Sequence, residues 1–421
     1  MQHPLDGLRV LDHGHVWAGP LLGMMLSDMG AEVIKVQAPL RRSGIAMGGY
    51  ATYEDALKGD TVITRDHPIA YHGYDRGKLS ITLDLSQRAG RETYFTLAAI
   101  SDIVIENFAP GVMDRLGLGF ATLQSINQGI IVAALSAAGA TPGPWRDIKT
   151  YGPSVAAIYG MKSFLGYLGD PCPREDTADV DPNSAGHALV AILAALECRD
   201  TTGLGQYIDL AQGEAALQRA AEPILDYFMN GIVAKPQGNR YPGIAPHGIY
   251  RCADVHDERG RETDRWVSIE VRTGAEWNGL VRVLAGSVPE IGAERFQALE
   301  GRLTHQDELD AMIEQWTRSR SADDVTMVLQ EARVAAYPVQ GLMDLVNDEN
   351  YQALRTNVNV DVSQLTAQDI YQGIPWKLER TAGTVRGPVP QTGEHNDFVF
   401  RELLGFSHAK VMSLRADGVT G

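Results

Sequence analysis

Short apolar runs alternate with longer amphipathic runs through the first half of the chain. The short runs are typical of buried strands, and the longer runs carry apolar residues at helical spacing. Strands that alternate with helices predict an α/β fold with a mainly parallel sheet, whose ligands bind beyond the carboxyl ends of the strands. The predicted strands are residues 8–11, 32–36, 78–85, 102–108 and 129–136, and the candidate ligand turns are residues 16–19, 107–115 and 136–151.

The most apolar helix predicted from the pattern lies within residues 181–209. Asp181-Pro182 suits a helix start, because Asp is a favoured N-cap and Pro is tolerated at the first helical position. Residues 185–196 are almost all apolar, which indicates a helix buried on most faces before a strand at residues 207–211. The N–H groups at such a helix start stabilise negative charge. Asp181 is therefore a candidate functional group, with a simple helix cap as the alternative.

The sequence pattern of the second half of the chain predicts a small domain flanked by long linkers. We expect a large domain at residues 1–215, completed by residues 400–421. A helix and a Pro- and Gly-rich linker follow at residues 216–246, and a small α/β domain at residues 247–335. Residues 336–400 are poor in apolar runs and are expected to return over a surface. Residues 38–72 lack periodicity and predict a long surface loop.

Composition narrows the class of protein. The 421 residues are 44% hydrophobic and 21% charged, as in an ordinary globular enzyme, and three scattered cysteines lack metal-ligand spacing. The formal net charge of −16 argues against a nucleic-acid partner, although local Lys and Arg residues can still bind an anionic ligand. The chain shows neither a signal peptide nor a membrane-spanning run, which predicts a cytoplasmic protein. The turn after the first strand lacks G-x-G-x-x-G, so a nicotinamide cofactor is not supported.

Several segments resemble class III CoA-transferases, the family of formyl-CoA transferases, carnitine CoA-transferases and succinyl-CoA-dependent relatives. They include PLDGLRVLDHGHVWAGPLLGMMLSDMGAEVIKV, DRGKLSITLDL, DIVIENFAPGVMDRLGLG and the run from DPNSAGHALV to GLGQYID. The resemblance implies a large domain with a Rossmann-like sheet and a smaller α/β domain, joined by long linkers in an interlocked homodimer. It implies acyl-CoA and carboxylic acid substrates and no permanently bound cofactor.

The resemblance also implies a covalent mechanism and its residues. Asp181 aligns without gaps with the family's nucleophile, which passes through an acyl-aspartyl anhydride and an aspartyl-CoA thioester. Trp17 stands where formyl-CoA transferases have Gln, and their glycine tetrad is missing, so a formyl-CoA:oxalate exchange is not expected. A dicarboxylate or a carnitine-like acid remains open as the substrate. The implied CoA contacts are Val16, Trp17, Ala18, Arg41 (or Arg42), Lys78, Asn107, Phe108, Arg115, Lys149 and Tyr151.

Two other functions fit parts of the pattern. A 2-methylacyl-CoA racemase shares the family's fold, but the segment expected to supply its catalytic His is RDIKTYGP, which has none. A metal-dependent hydrolase is suggested by His13 and His15, since two residues apart on a strand end they share a face. No later series of ligands completes that site, and no metal site is predicted.

Overall fold

The chain folds as two structural units, each with its own sheet. The computed structural model describes residues 3–39, 72–167, 169, 179–256, 260, 262–362 and 367–421. The first unit comprises Met1–Met161, Asp176–Ile232 and Gln352–Gly421. The second comprises Lys162–Glu175 and Val233–Tyr351.

Six parallel strands form the sheet of the first unit, in the order β3-β2-β1-β4-β5-β6. The sequence prediction of an α/β fold with a parallel sheet is confirmed. Because the order reverses between β1 and β4, the chain leaves these two strands toward opposite sides and opens a ligand crevice at their carboxyl ends. The strands are β1 (Arg9–Asp12), β2 (Glu32–Gln37), β3 (Leu79–Thr82), β4 (Ile103–Glu106), β5 (Ile131–Ser136) and β6 (Tyr207–Ala211).

Helices cover both faces of this sheet. One face packs Val10, Ile105 and Leu135 against α1 and α6, and the other packs Leu11 and Val104 against α2 and α4. The helices are α1 (Ala18–Asp28), α2 (Arg88–Ala98), α3 (Val112–Arg115), α4 (Phe120–Ile126), α5 (Gly152–Ile158), α6 (Val180–Thr202), α7 (Gln212–Leu217) and α8 (Ala221–Asn230). Short 3-10 turns lie at His72–Asp75, Met161–Ser163 and Gln218–Ala220.

The second unit is built on a three-stranded antiparallel sheet in the order β11-β10-β7. Its core surrounds Trp277 and Phe296, and a capping box between Thr273 and Glu276 begins its first helix. Its strands are β7 (His247–Arg251), β8 (Val255–His256), β9 (Glu262–Thr263), β10 (Trp266–Glu270) and β11 (Ala335–Pro338). Its helices are α9 (Gly274–Leu284), α10 (Leu299–Thr304), α11 (Gln306–Thr317), α12 (Ala322–Glu331), α13 (Leu342–Asn347) and α14 (Glu349–Ala353), with 3-10 turns at Pro289–Gly292 and Glu294–Phe296.

The last part of the chain returns to the first unit. A hairpin of β12 (Asn357–Val362) and β13 (Ala367–Gln372), a π-helix at Phe398–Leu403 and α15 (His408–Ala416) follow one another. The Asn396 side chain accepts the Thr82 N–H at 2.9 Å, and the His395 N–H donates to the Ser80 carbonyl at 2.9 Å. These bonds cover β3, the edge strand of the sheet. Within the described residues, no helix is long and apolar enough to cross a membrane.

Candidate active site

The Asp181 carboxylate lies at the carboxyl edge of the parallel sheet. The backbone N–H groups of Ala18, the first residue of α1, and of Asp181 itself lie beside it and lower its pKa. Gly152, the first residue of α5, approaches so closely that a Cβ there would collide with Asp181 Oδ2. Three helix starts therefore meet at this carboxylate. Burial raises the pKa of Asp181 to about 6, against the opposing effect of the two N–H groups.

Asp181 is not the cap of its helix. The helix α6 already begins at Val180, with Asp179 as N-cap, so Asp181 and Pro182 lie inside the first turn. The expectation that the Asp-Pro pair marks the helix start was therefore wrong by two positions. Pro is tolerated here because N–H groups of the first turn have no partner within the helix. The carboxylate faces the Ala18 N–H of α1 across the crevice, which a simple cap does not do.

The turn between β1 and α1 is held in place by the side chain of Asn107, which lies across the crevice. Asn107 follows β4; its Oδ1 accepts the His15 N–H at 2.8 Å and its Nδ2 donates to the His15 carbonyl at 2.8 Å. Val16 then adopts a φ of 64°, a left-handed conformation that a β-branched residue rarely takes. A Cβ at Gly14 would lie 2.6 Å from the Gly19 carbonyl carbon, so the turn closes tightly on itself. The predicted contacts Val16, Trp17, Ala18 and Asn107 are thus brought together.

Two aromatic residues predicted as CoA contacts border this turn. The Trp17 indole stacks on the Tyr74 ring, with 5.8 Å between centroids. Phe108 is half-buried, with its ring 5.4 Å from that of the exposed His15. Both rings offer flat apolar surface at the crevice.

Lys78 lies beneath the turn rather than in it. Its ammonium group is fully buried and donates to Asp12 Oδ2 at 2.7 Å, Asp75 Oδ1 at 2.7 Å and the Pro20 carbonyl at 2.9 Å. Burial lowers the pKa of Lys78, but the Asp12 and Asp75 carboxylates raise it more. An ammonium group has three donors, and all three are used inside the protein. In this structure, Lys78 therefore has no N–H left for a CoA phosphate, contrary to the expectation from the sequence.

Arg115 and a second arginine present a positive surface next to the crevice. Arg115 is exposed, and a Cβ built on Gly111 would lie 3.2 Å from Arg115 Nη1 and 3.8 Å from Arg146 Nη2. Arg146 is oriented by hydrogen bonds to the Ala140 carbonyl at 3.0 Å and Asp147 Oδ1 at 3.0 Å. Sequence reasoning missed Arg146, although it lies in the candidate turn at residues 136–151.

Lys149 and Tyr151 lie on the segment that leads to Gly152. Both side chains are exposed, and Tyr151 is the residue before the start of α5. Chain connectivity therefore places Tyr151 next to the backbone that touches Asp181. Arg41 and Arg42, with almost all of the loop predicted at residues 38–72, lie outside the described residues.

A buried carboxyl group that sequence reasoning missed lies at the end of β4. Glu106 Oε2 accepts the Phe108 N–H at 2.7 Å. Burial raises the pKa of Glu106 to about 7, against that hydrogen bond and with help from the Asp114 and Asp209 carboxylates. Glu106 thus shapes the loop that carries Asn107 and Phe108.

The two histidines after β1 do not face each other as metal ligands. His13 is buried and bonds to the Tyr94 hydroxyl at 2.8 Å, and burial lowers its pKa to about 3. His15 is exposed and packs against Phe108. In the described part of the chain, no cluster of three or more His, Cys, Asp or Glu side chains could hold a metal ion.

Comparison with known proteins identifies the family of this chain. It is 30% identical to succinyl-CoA–D-citramalate CoA-transferase of Chloroflexus aurantiacus, over 99% of this chain and 98% of that protein. It is 31% identical to formyl-CoA:oxalate CoA-transferase of Afipia carboxidovorans, over 100% and 98%. A CaiB/BaiF family protein from Brucella suis superposes with a TM-score of 0.82 at 27% identity, over 96% of this chain and 100% of that one. The family model described as CoA-transferase family III matches residues 5–396. The chain belongs to CoA-transferase family III, as its motifs indicated.

Proposed function

We propose that this transferase moves CoA from an acyl-CoA donor to a free carboxylic acid through covalent intermediates on Asp181. The observation that carries the proposal is the half-buried Asp181 carboxylate, which faces the Ala18 N–H at the carboxyl edge of the sheet. Its pKa of about 6 leaves it mostly ionised at neutral pH, and the ionised form is the nucleophile.

The proposed reaction has two halves that mirror each other. Asp181 attacks the thioester carbonyl, the C–S bond breaks, and an acyl-aspartyl anhydride and CoA thiolate form. The thiolate attacks the aspartyl carbonyl, which releases the first acid as its carboxylate and leaves an aspartyl-CoA thioester. The acceptor carboxylate attacks that thioester, and the thiolate then attacks the acceptor's carbonyl to give the new acyl-CoA and free Asp181. Every step uses only Asp181, CoA and the two acids, so the proposal includes no permanently bound cofactor.

The surroundings of Asp181 suit this chemistry in two ways. The Ala18 N–H faces the Asp181 carboxylate, so it can stabilise the oxyanion that develops on the aspartyl carbonyl when the thiolate attacks it. Burial of the carboxylate limits the access of water, which would otherwise hydrolyse the anhydride. The same burial raises the pKa of the nucleophile and makes its carboxylate more reactive.

The CoA site proposed here extends from the β1 turn toward the exposed cations. Phe108 offers a flat surface for adenine, and the guanidinium groups of Arg115 and Arg146 offer paired donors for phosphates. Lys149 is exposed and, within the described residues, makes no hydrogen bond or ion pair, so it is available to the same ligand. The backbone of Val16, Trp17 and Ala18 completes the site near the thioester. We include Arg41 in it as a phosphate contact on the strength of the resemblance alone.

We further propose a dicarboxylyl-CoA such as succinyl-CoA as the donor. Trp17 stacked on Tyr74 presents a broad flat wall where formyl-CoA transferases have Gln. The relatives of Chloroflexus aurantiacus that align over nearly their whole length are named succinyl-CoA CoA-transferases. A mass-spectrometric screen of acetyl-, propionyl- and succinyl-CoA against a panel of acids tests this choice.

The proposal includes a homodimer, interlocked as the resemblance implies. The helix α8 has no buried residue, although its sequence is amphipathic. Leu225 is 57% exposed, and Phe228 and Met229 are each 78% exposed. A second subunit that covers this apolar face would remove its contact with water.

The experiment that tests the proposed activity compares wild type with Asp181→Asn. CoA exchange between an accepted acyl-CoA and its acid should fall to background in the variant, while CoA binding persists. Asp179→Asn, two residues earlier at the half-buried N-cap, should retain exchange. An active Asp181→Asn protein, verified by mass spectrometry not to have deamidated, would remove Asp181 from the mechanism.

A further inference from the structure

The turn between β1 and α1 is strained at one residue. Val16 has a φ of 64°, and its branched Cβ makes that left-handed conformation unfavourable. Such strain persists only where the surrounding contacts determine the backbone. The cause of the strained conformation must therefore be sought in the groups that hold the turn.

The residues on both sides of Val16 are fixed by polar contacts. Before it, Gly14 donates its N–H to Asp12 Oδ1 at 2.6 Å and its carbonyl accepts Lys35 Nζ. At His15, the N–H and the carbonyl both bond to the Asn107 side chain at 2.8 Å. One amide group from the neighbouring strand end thus satisfies both polar groups of a single peptide residue. Asn107 has used one of its two donors and its acceptor in doing so.

The turn positions the backbone N–H of Ala18 beside Asp181, the proposed nucleophile. Two residues after Val16 the helix α1 begins, and the N–H of Ala18, its first residue, faces the Asp181 carboxylate and lowers its pKa. If the Val16 peptide relaxed to a negative φ, the direction of the following peptide planes would change. The Ala18 N–H would then leave the carboxylate.

We propose that Asn107 is a positioning residue, whose amide holds the strained Val16 turn so that the Ala18 N–H stays on the Asp181 carboxylate. This inference rests on the proposed role of Asp181 and gives Asn107 a function other than the direct CoA contact that the sequence suggested. Its geometry also explains why an amide is needed: only a group with one donor and one acceptor side by side can bond to both the N–H and the carbonyl of His15.

The test is the titration of Asp181 itself in the absence of acyl-CoA. The protein is labelled with 13C at Asp carboxyl groups, and Asp181→Asn identifies the resonance. Because the Ala18 N–H stabilises the ionised form, Asn107→Ala should move the titration midpoint upward from about 6 by ~0.5 or more. Asn107→Ser, which also cannot bond to both groups, gives the same test if the Ala variant does not fold.

Burial and the two N–H groups, rather than neighbouring charges, determine the Asp181 pKa within the described residues. A substitution at position 107 should therefore change the Asp181 pKa only by moving the backbone N–H groups near the carboxylate. The titratable groups of α6 besides Asp181 are His187, Glu197, Cys198, Arg199 and Asp200, with Asp179 just before the helix. Those of the elements packed against it are Asp28 of α1, Tyr151 and Tyr159 at the ends of α5, Tyr207 and Asp209 of β6, and Glu214 of α7.

Asn127→Ala is the matched control. Asn127 also holds a loop through both ends of its amide, with bonds to the Ser101 carbonyl at 2.8 Å and from the Gly129 N–H at 3.0 Å. It precedes β5 at the opposite edge of the sheet. Its removal should leave the Asp181 midpoint unchanged.

Val16→Gly provides the decisive second variant. Glycine adopts a positive φ without strain, so the turn needs less support. In the Val16→Gly background, Asn107→Ala should shift the midpoint less than it does in wild type. An unchanged midpoint in Asn107→Ala, whether or not CoA affinity falls, would overturn the inference. Because no transfer is measured, failure of the proposed reaction would not produce that result.

Discussion

The Asp181 carboxyl group combines burial with a requirement to be ionised. Its pKa of about 6 means that half of the molecules carry a protonated, unreactive Asp181 at that pH. We predict that kcat/KM for CoA exchange falls about tenfold per pH unit below roughly pH 6. A pH–rate profile in a buffer series of constant ionic strength measures this. A rate that stays flat down to pH 5 would contradict an ionised Asp181 nucleophile.

The same raised pKa predicts a stability change at residue 181. The unfolded carboxyl ionises near 3.8 and the folded one near 6, so the native state loses stability as the pH rises between these values. Above pH 6 this cost is constant, on the order of 2–3 kcal/mol. Asp181→Asn should therefore raise the free energy of unfolding by about that amount at pH 8, and the gain should disappear near pH 4. Urea unfolding at the two pH values gives the comparison.

Asp200→Asn is the control for this stability change. Asp200 lies on the same helix α6, and its side chain is 73% exposed. Its replacement should change the free energy of unfolding by no more than about 0.5 kcal/mol at either pH. If Asp181→Asn were less stable than wild type at pH 8, the N–H groups beside the native carboxylate would outweigh the free-energy cost of its burial.

At the scale of elements, one buried ion network joins the strands to the first helix. Lys78 bonds to Asp12 of β1, to Asp75 of the adjacent 3-10 turn and to the Pro20 carbonyl of α1. Lys78→Met should leave Asp12 and Asp75 with Lys35 alone, whose Nζ lies 3.6 and 3.4 Å from their carboxylates. The loss of stability should therefore be at most about 3–5 kcal/mol, the cost of an uncompensated buried charge. Urea unfolding of the variant measures this loss.

Arg115→Gln is the contrasting variant for that network. Arg115 is exposed, so its loss should leave the free energy of unfolding nearly unchanged. It should weaken CoA binding by about 1–3 kcal/mol, and less so at high salt. If instead Lys78→Met folded stably and lost CoA affinity, Lys78 would be the phosphate contact that the sequence suggested.

The strands and several helices of the first unit could be predicted because local patterns specify them. Residues 129–136 are an almost continuous apolar run, and residues 32–36 carry three apolar residues around Lys35; both became buried strands inside the sheet. The environment of Lys78 could not be predicted in this way. Alignment gives its position along the chain, but its partner Asp12 lies 66 residues away and only the folded sheet brings them together.

The candidate site likewise has features that could be predicted from the sequence and features that could not. Asp181 was identified as a candidate from its position at the start of an apolar helix, and Asn107 from the motif DIVIENFAPGVMDRLGLG. That Asn107 bonds to the backbone of His15, 92 residues earlier, depends on β1 and β4 being neighbours in the sheet. The hairpin of β12 and β13 was missed although Val358, Val360 and Val362 alternate with polar residues, which is the period of a half-buried strand.

At the scale of the whole molecule, the exposed α8 predicts assembly. We expect a homodimer at micromolar concentration, whose subunits do not exchange if the chains are interlocked. Mixing tagged and untagged protein at room temperature should yield no mixed dimers within hours, and mixed dimers should form after joint unfolding and refolding. Rapid recovery of mixed dimers would contradict interlocking, and a monomer by light scattering would contradict the dimer.

Phe228→Asp examines the same surface directly. Because Phe228 is 78% exposed in the single chain, the substitution should not destabilise an isolated subunit. It should reduce the yield of dimer if a partner covers α8. Arg88→Asp, at an exposed position on α2, is a control that should leave assembly unchanged.

Asp181 should become covalently acylated during exchange, and trapping the intermediate shows whether it does. Wild-type protein is incubated with an accepted acyl-CoA and then with hydroxylamine, digested, and mapped by mass spectrometry. Hydroxylamine attacks an aspartyl anhydride or thioester and leaves a hydroxamate on the aspartate. We expect one modified residue, Asp181, and only in the samples that received acyl-CoA. A hydroxamate on another residue, or none in a protein that is exchanging CoA, would contradict it.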